Sequence, residues 1–195
     1  MLGTMDFYTR NVVSVEDPVE YVLAQASQIE VNVKANITFA NALRSILRQD
    51  PDVICVGEIR DAETAEMALQ ASQTGHLVLA TLHSSSNLAT LVRLMELGIR
   101  PLLLASALSV IISQRLVRKL CDNCKSPAEL SEKQISDFRS KGIDVRNIMA
   151  ANGCRKCGGT GYFGRIAIMD VLTLDERVKA ILANDKLSPG DLKNQ

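Results

Sequence analysis

The segment from Gln49 to Asp61 reads QDPDVICVGEIRD, and it restricts what this chain can fold into more than any other stretch. A short apolar run, Val53-Ile54-Cys55-Val56, follows Pro51 and stops at Gly57-Glu58. Runs of this kind predict a strand buried on both faces, as in a parallel sheet covered by helices. An acidic residue at the carboxyl end of such a strand stands where open α/β sheets place their ligands. Glu58 is therefore a candidate for holding a metal or polarising water. The same pattern, taken alone, also fits a core strand that runs into a solvated turn.

Two further segments repeat the design. Val12-Val13-Ser14-Val15 is apolar and ends in Glu16-Asp17, closed by Pro18. Leu77 to Leu82 is apolar and carries His76 and His83 at its two ends. Around these strands the chain alternates in the manner of an α/β domain. An extended segment is expected over 28–33. Thr38 is a natural N-cap for a helix to Arg48, with Phe39, Leu43, Ile46 and Leu47 at helical spacing. Asp61 caps a helix through Gln73, and Asn87 caps one that Gly98 terminates. Pro101 opens a fourth, apolar helix through Ile112 that ends in the basic residues Arg115, Arg118 and Lys119. Residues 131–139 carry helix signals, Ile166 to Leu172 reads as a strand, and 175–184 as a short helix.

The order and wording of the three strand-end segments closely resemble the bacterial secretion and pilus-assembly ATPases. VEDPVEY resembles that family's aspartate box, LRQDPDVICVGEIRD its Walker B segment, and TGHLVLATLH its histidine box, and the match runs from about Asn11 to about Leu174. The resemblance implies a partial RecA-like P-loop core of class α/β over 1–120. It further implies a tetracysteine module over 121–165 and a C-terminal strand and helix over 166–195. It implies MgATP hydrolysis, with Glu58 as catalytic glutamate and Glu16 assisting with Mg²⁺ or water, supported by Asp17. His83, at the end of its strand, would sense or contact the γ-phosphate, and His76 is a second candidate for binding the nucleotide. Among the flanking guanidinium groups Arg44, Arg48 and Arg60, one would stabilise transition-state charge, although each also fits an ordinary surface ion pair. Arg60 is the candidate for touching the nucleotide. A homo-hexamer working on inner-membrane platform proteins from the cytoplasmic side is the expected setting.

Four of the five cysteines form two C-x-x-C pairs, Cys121/Cys124 and Cys154/Cys157, separated by 29 residues. Two such pairs supply four thiolates for tetrahedral Zn²⁺. Gly153-Cys-Arg-Lys-Cys-Gly-Gly offers the small residues that let backbone amides turn toward sulfur. Cys55, alone in an apolar strand, reads as a core residue. Gly159-Thr-Gly-Tyr-Phe-Gly164 matches G-x-G-x-x-G but follows a cysteine knuckle and leads into a strand, so the dinucleotide reading fails its context test.

Composition narrows the rest. The chain has 195 residues, enough for one large or two small domains, with 47% hydrophobic residues and no Trp. Zero formal net charge argues against a general polyanion binder, so no nucleic acid is expected. The longest apolar stretch falls well short of the roughly 20 residues that cross a bilayer, and no secretory signal opens the chain. A soluble cytoplasmic protein is expected. No G-x-x-x-x-G-K-[ST] occurs anywhere, and that loop is the backbone cradle for nucleotide phosphates. The first eight residues resemble the tail of the helix that follows such a loop, and 186–195 stops short of the family's further helices. The chain thus reads as an internal piece of a longer ATPase, inactive alone. The alternative is a non-catalytic zinc-binding interaction module, chaperone-like or a zinc ribbon, on the strength of C-x-x-C-G-G-T-G at 154–161.

Overall fold

The computed structural model describes residues 2–183. The expectation placed on 186–195 lies outside the described residues. Contacts divide the chain into two compact units. One comprises the residues up to Ser113 together with the segment that begins at Asp170, and the other Gln114–Met169.

The first unit is built on β1 (Val12–Glu16), β2 (Ser27–Glu30), β3 (Val53–Val56) and β4 (Leu77–Ala80). These form one sheet in the order β2-β1-β3-β4, every neighbouring pair parallel. Helix α1 (Phe39–Ile46) leads into β3, and α2 (Ala62–Gln73) joins β3 to β4. Because all four strands run the same way, Glu16, Glu58 and His83 emerge at one edge, the carboxyl edge expected of a ligand site.

Val13, Val15, Ile54 and Val56 pack against Phe39, Leu43 and Ile46 of α1 and Ala68 and Ala71 of α2. Leu43 and Ile46 are wholly buried, and burying each stabilises the fold by roughly 1.5–3 kcal/mol. The expected caps are present. Thr38 Oγ1 accepts the Asn41 N–H, and Asp61 Oδ1 accepts the Thr64 N–H. Helix α3 (Asn87–Glu96) is capped by Ser86 rather than Asn87. The Asn87 side chain instead donates to Asp170 and accepts from Ser113.

One expected element is replaced. Helix α4 (Pro101–Ala107) ends at Leu108, whose backbone is extended, and β5 (Val110–Leu120) takes up the rest of the apolar run and the basic residues after it. The adjacent β-branched residues Val110, Ile111 and Ile112 favour a pleated strand over a helix. Strand β5 pairs with a strand at the other side of the cysteine region, and this partner outcompetes continued helix. At the start of the chain, Leu2–Thr4 forms one 3₁₀ turn where the tail of an α-helix was expected.

The second unit contains β6 (Ser126–Pro127), α5 (Glu132–Ser140) and β7 (Met149–Ala150), with β6 and β7 paired antiparallel. A reciprocal capping box between Ser131 and Gln134 starts α5. Strand β8 (Tyr162–Thr173) pairs with β5, and the Arg118 guanidinium lies 4.0 Å above the Tyr162 ring. The expected boundary at 121 follows directly on the last residue of β5, and the one at 165 falls inside β8. Helix α6 (Glu176–Leu182) follows, capped by Asp175, and Leu182 is buried with Leu91, Val92 and Leu174. No helix among the described residues is long and apolar enough to cross a membrane.

Candidate functional site

The carboxyl ends of β1, β3 and β4 are locked to one another by their backbones. Gly57 N–H donates to Val15 O, Ile59 N–H to Thr81 O, and Thr81 N–H to Val56 O. The Thr81 hydroxyl also donates to Gly57 O. Gly57 suits this close approach, since a Cβ there would stand 3.0 Å from Val15 O and 3.1 Å from Glu16 Cα and the neighbouring backbone would have to shift by a few tenths of an ångström. The ends of β1 and β3 are thereby pressed together, with Glu16 and Glu58 on either side of the contact.

Glu58 is the centre of the group. Its side chain is only 15% exposed, one oxygen meets Arg60, and the other lies 3.1 Å from His83 Nε2. Arg60 also binds Asp17 at 2.9 Å. The Arg60 guanidinium is held above its ordinary pKa chiefly by the hydrogen bond to Glu58, with Asp17 adding to it. Glu16 is held separately, accepting from Ser14 Oγ at 2.6 Å and Gln28 Nε2 at 2.9 Å. Burial raises the pKa of the neighbouring thiol Cys55, and the charge of Glu16 raises it further.

Glu58, Arg60, Asp17 and His83 thus form one connected set, with Glu16 beside it. His76 is not brought in. It stands at the amino end of β4, and seven residues of extended chain to His83 span on the order of 20 Å. Its Nδ1 lies 2.9 Å from Ala71 O and 3.0 Å from the Thr74 hydroxyl, closing the end of α2. Arg44 is an ion pair on the helix surface, bound to Glu63 and to Asn41.

The second constellation lies in the other unit. Cys121, Cys124, Cys154 and Cys157 place their sulfurs within 4.8 Å of one another, and all are free thiols. The Sγ–Sγ separations are 3.9 Å for Cys121–Cys154, 3.9 Å for Cys124–Cys157 and 3.7 Å for Cys154–Cys157. A tetrahedral site with Zn–S of about 2.3 Å has edges of about 3.8 Å, so the donor set fits Zn²⁺ in both chemistry and spacing. Burial disfavours charge on Cys157, but N–H groups of Cys154 and Gly161 directed at its sulfur outweigh this and bring it down to about 6. Asn123 Nδ2 donates to Cys154 and lowers that thiol too, whereas burial pushes Cys124 up to about 11. Gly153 makes the turn possible, with φ +103° and Gly159 O where a Cβ would sit.

Comparison with known proteins adds one decisive match. The family model described as "Type II/IV secretion system protein" covers residues 1–191. The chain belongs to that type II/IV secretion family. Within it, the type II secretion system protein E of Pseudomonas aeruginosa is 45% identical over 184 residues, 94% of this chain and 37% of the relative. The type II secretion system ATPase E of Vibrio cholerae is 45% identical over 176 residues, 90% of this chain and 35% of the relative. The chain therefore spans little more than a third of the length of these relatives. Among solved structures, the pilus retraction motor PilT with bound ADP superposes with a TM-score of 0.61 at 29% identity, over 91% of this chain and 43% of that one. The Legionella pneumophila ATPase DotB gives 0.61 at 26%, over 95% and 42%. The parallel sheet is thus that of the secretion ATPases, of the RecA-like P-loop class.

Sequence reasoning passed over Ser14, Gln28 and Asn123. Ser14 carried a signal, since a lone hydroxyl in the run VVSVE lies two residues before Glu16 and shares its face. Gln28 carried none, because its relation to Glu16 depends on the register that sets Ser14 opposite it.

Proposed function

We propose that this chain supplies the water-activating and metal-facing part of a secretion motor ATPase. The observation that carries this reading is the mostly buried carboxylate of Glu58. It sits at the carboxyl edge of a parallel sheet, flanked by Arg60 and His83 and linked through Arg60 to Asp17. Glu58 orients a water and takes its proton as the water attacks the terminal phosphate of ATP. Glu16 and Asp17 would hold Mg²⁺, and the bound ion supplies charge neutralisation on the phosphates. Arg60 fixes the angle of Glu58, and His83, 95% exposed, is free to turn from Glu58 toward a phosphate oxygen.

The phosphate cradle itself has no counterpart in the sequence, so the isolated chain does not turn over. Zn²⁺ at the four cysteines would replace an apolar core in a segment too small to build one. In the working enzyme this segment forms part of a hexamer and drives an inner-membrane platform for secretion or pilus assembly from the cytoplasmic side. A stand-alone zinc module leaves the connected carboxylates of the sheet edge without a purpose.

The test is a chimera in which the part of the Pseudomonas aeruginosa relative that precedes the matched region is placed before Met1. The chain alone should release no phosphate above buffer, and the chimera should hydrolyse MgATP. Hydrolysis by the chain alone, abolished by Glu58→Gln, would overturn the view that a cradle must be supplied. An inert but folded and nucleotide-binding chimera would overturn the assignment of the sheet edge.

A further inference from the structure

The loop between β1 and β2, residues 17–26, is held in an unusual way. Its apolar side chains are at most half-buried: Tyr21 is 81% exposed and Val22 88%, with Val19 and Leu23 only partly covered. The loop's conformation therefore depends on polar tethers, and two come from β2. Glu30 Oε2 accepts the Val19 N–H at 3.1 Å. Gln28 makes three bonds at once. Its Oε1 accepts the Leu23 N–H at 2.6 Å, and its Nε2 donates to Tyr21 O at 3.0 Å and to Glu16 Oε1 at 2.9 Å. A side-chain amide has two N–H groups, so both of its donors are used, one on the loop and one on the carboxylate.

Glu16 is gripped on one side only. Ser14 and Gln28 both donate to Oε1, and no described residue donates a hydrogen bond to Oε2. One oxygen of the carboxylate thus has no described donor, while the other is bound to the group that holds the loop. Ser14 is fully buried and fixed by the sheet, so the movable link is Gln28.

We propose that Gln28 is a positioning residue that couples the 17–26 loop to Glu16, so that a change at the carboxylate is transmitted to the loop and the reverse. The coupling rests on the reading of Glu16 as a site carboxylate for its purpose, but its physics does not require nucleotide. A cation drawn to Oε2 competes for the electron density that Gln28 uses, and the amide then relaxes its hold on Tyr21 and Leu23. A Gln28 that merely satisfied nearby backbone groups would show no such link.

The experiment is amide hydrogen exchange at Leu23 in this chain, with the β3 amide of Ile54 as a fold control. Glu16→Ala should speed exchange at Leu23 about tenfold, the size expected for loss of one charge-assisted hydrogen bond, while Ile54 is unchanged. In the Gln28→Ala background, Glu16→Ala should add nothing. Gln28→Met provides the third arm: it keeps the length of the side chain but neither accepts the Leu23 N–H nor donates to Glu16, so Leu23 should become insensitive to Glu16→Ala. Equal Leu23 rates in the parent and Glu16→Ala, or additive effects of the two substitutions, would overturn the coupling. If Gln28→Ala does not fold, the comparison of Glu16→Ala with and without Gln28→Met still decides the matter. No arm uses ATP, so failure here and failure of the ATPase reading are separately visible.

Discussion

Arg60 and Asp17 meet at 2.9 Å although 43 residues separate them in the chain. The contact exists because β1 and β3 are adjacent parallel strands, so the residues that follow each strand leave the sheet at the same edge. Asp17 and Glu58 thereby share one guanidinium, and a positive charge stands between two carboxylates that would otherwise repel.

The role of Glu58 is tested by Glu58→Gln in a chimera that hydrolyses MgATP. Shape and most hydrogen bonds survive, so nucleotide binding should persist while turnover falls on the order of 10²–10³-fold. The melting temperature should move by no more than about 2–4 °C, the shift expected for about 1 kcal/mol in a domain of this size. A variant that loses stability but keeps its turnover would return Glu58 to the role of a turn residue.

The two histidines should separate cleanly. His76→Ala removes the ring that closes the α2 terminus through Ala71 O and should cost about 0.5–1.5 kcal/mol in urea unfolding, with turnover in the chimera intact. His83→Ala should do the opposite, lowering turnover with little effect on unfolding. Equal loss of activity in both would mean that His76 acts on the nucleotide after all.

Much of this arrangement was legible in the sequence, for physical reasons that differ between elements. Thr38 and Asp61 declared their helices because a cap is a local event between residues three apart. The strands that end in Glu16 and Glu58 declared themselves by abrupt apolar-to-acidic boundaries. Strand β5 did not, because an apolar run is compatible with helix or strand until its partner is known, and that partner, β8, lies some forty residues away. Gln28 was hidden for the same reason, since strand register decides which polar side chains meet. His83 follows its strand and His76 precedes it, and because the sheet is parallel only His83 comes out at the edge where Glu16 and Glu58 emerge.

Gly57→Ala tests the contact between the ends of β1 and β3. The added methyl would stand 3.0 Å from Val15 O and 3.1 Å from Glu16 Cα, both on backbone with little room to yield. Overpacking of this kind typically costs about 1–3 kcal/mol. Urea unfolding should show that loss, and the turnover of the chimera should fall with it as Glu16 is displaced. A neutral substitution would mean that the two strand ends are free to separate.

The cysteine cluster should carry about one Zn²⁺ per chain by elemental analysis. Cys154→Ser, or chelation, should release the metal and speed amide exchange across 121–161 while the amides of β3 keep their protection. Metal-free protein with unchanged exchange in the cysteine region would reject a structural metal.

Helix α2 has one property with a wider reach. Three of its inward positions are alanine, and they serve two different neighbours: Ala68 and Ala71 lie in the cluster under the sheet, while Ala65 and Leu69 belong to the cluster formed with Leu94, Ile99 and Leu104. A wall read from both sides leaves little freedom for drift. An enlargement that suits one neighbour lifts the helix from the other, so compensation must come from two places together. Over generations, variation in α2 should collect at the exposed Glu66, Gln70 and Gln73, and the inward alanines should change only in company.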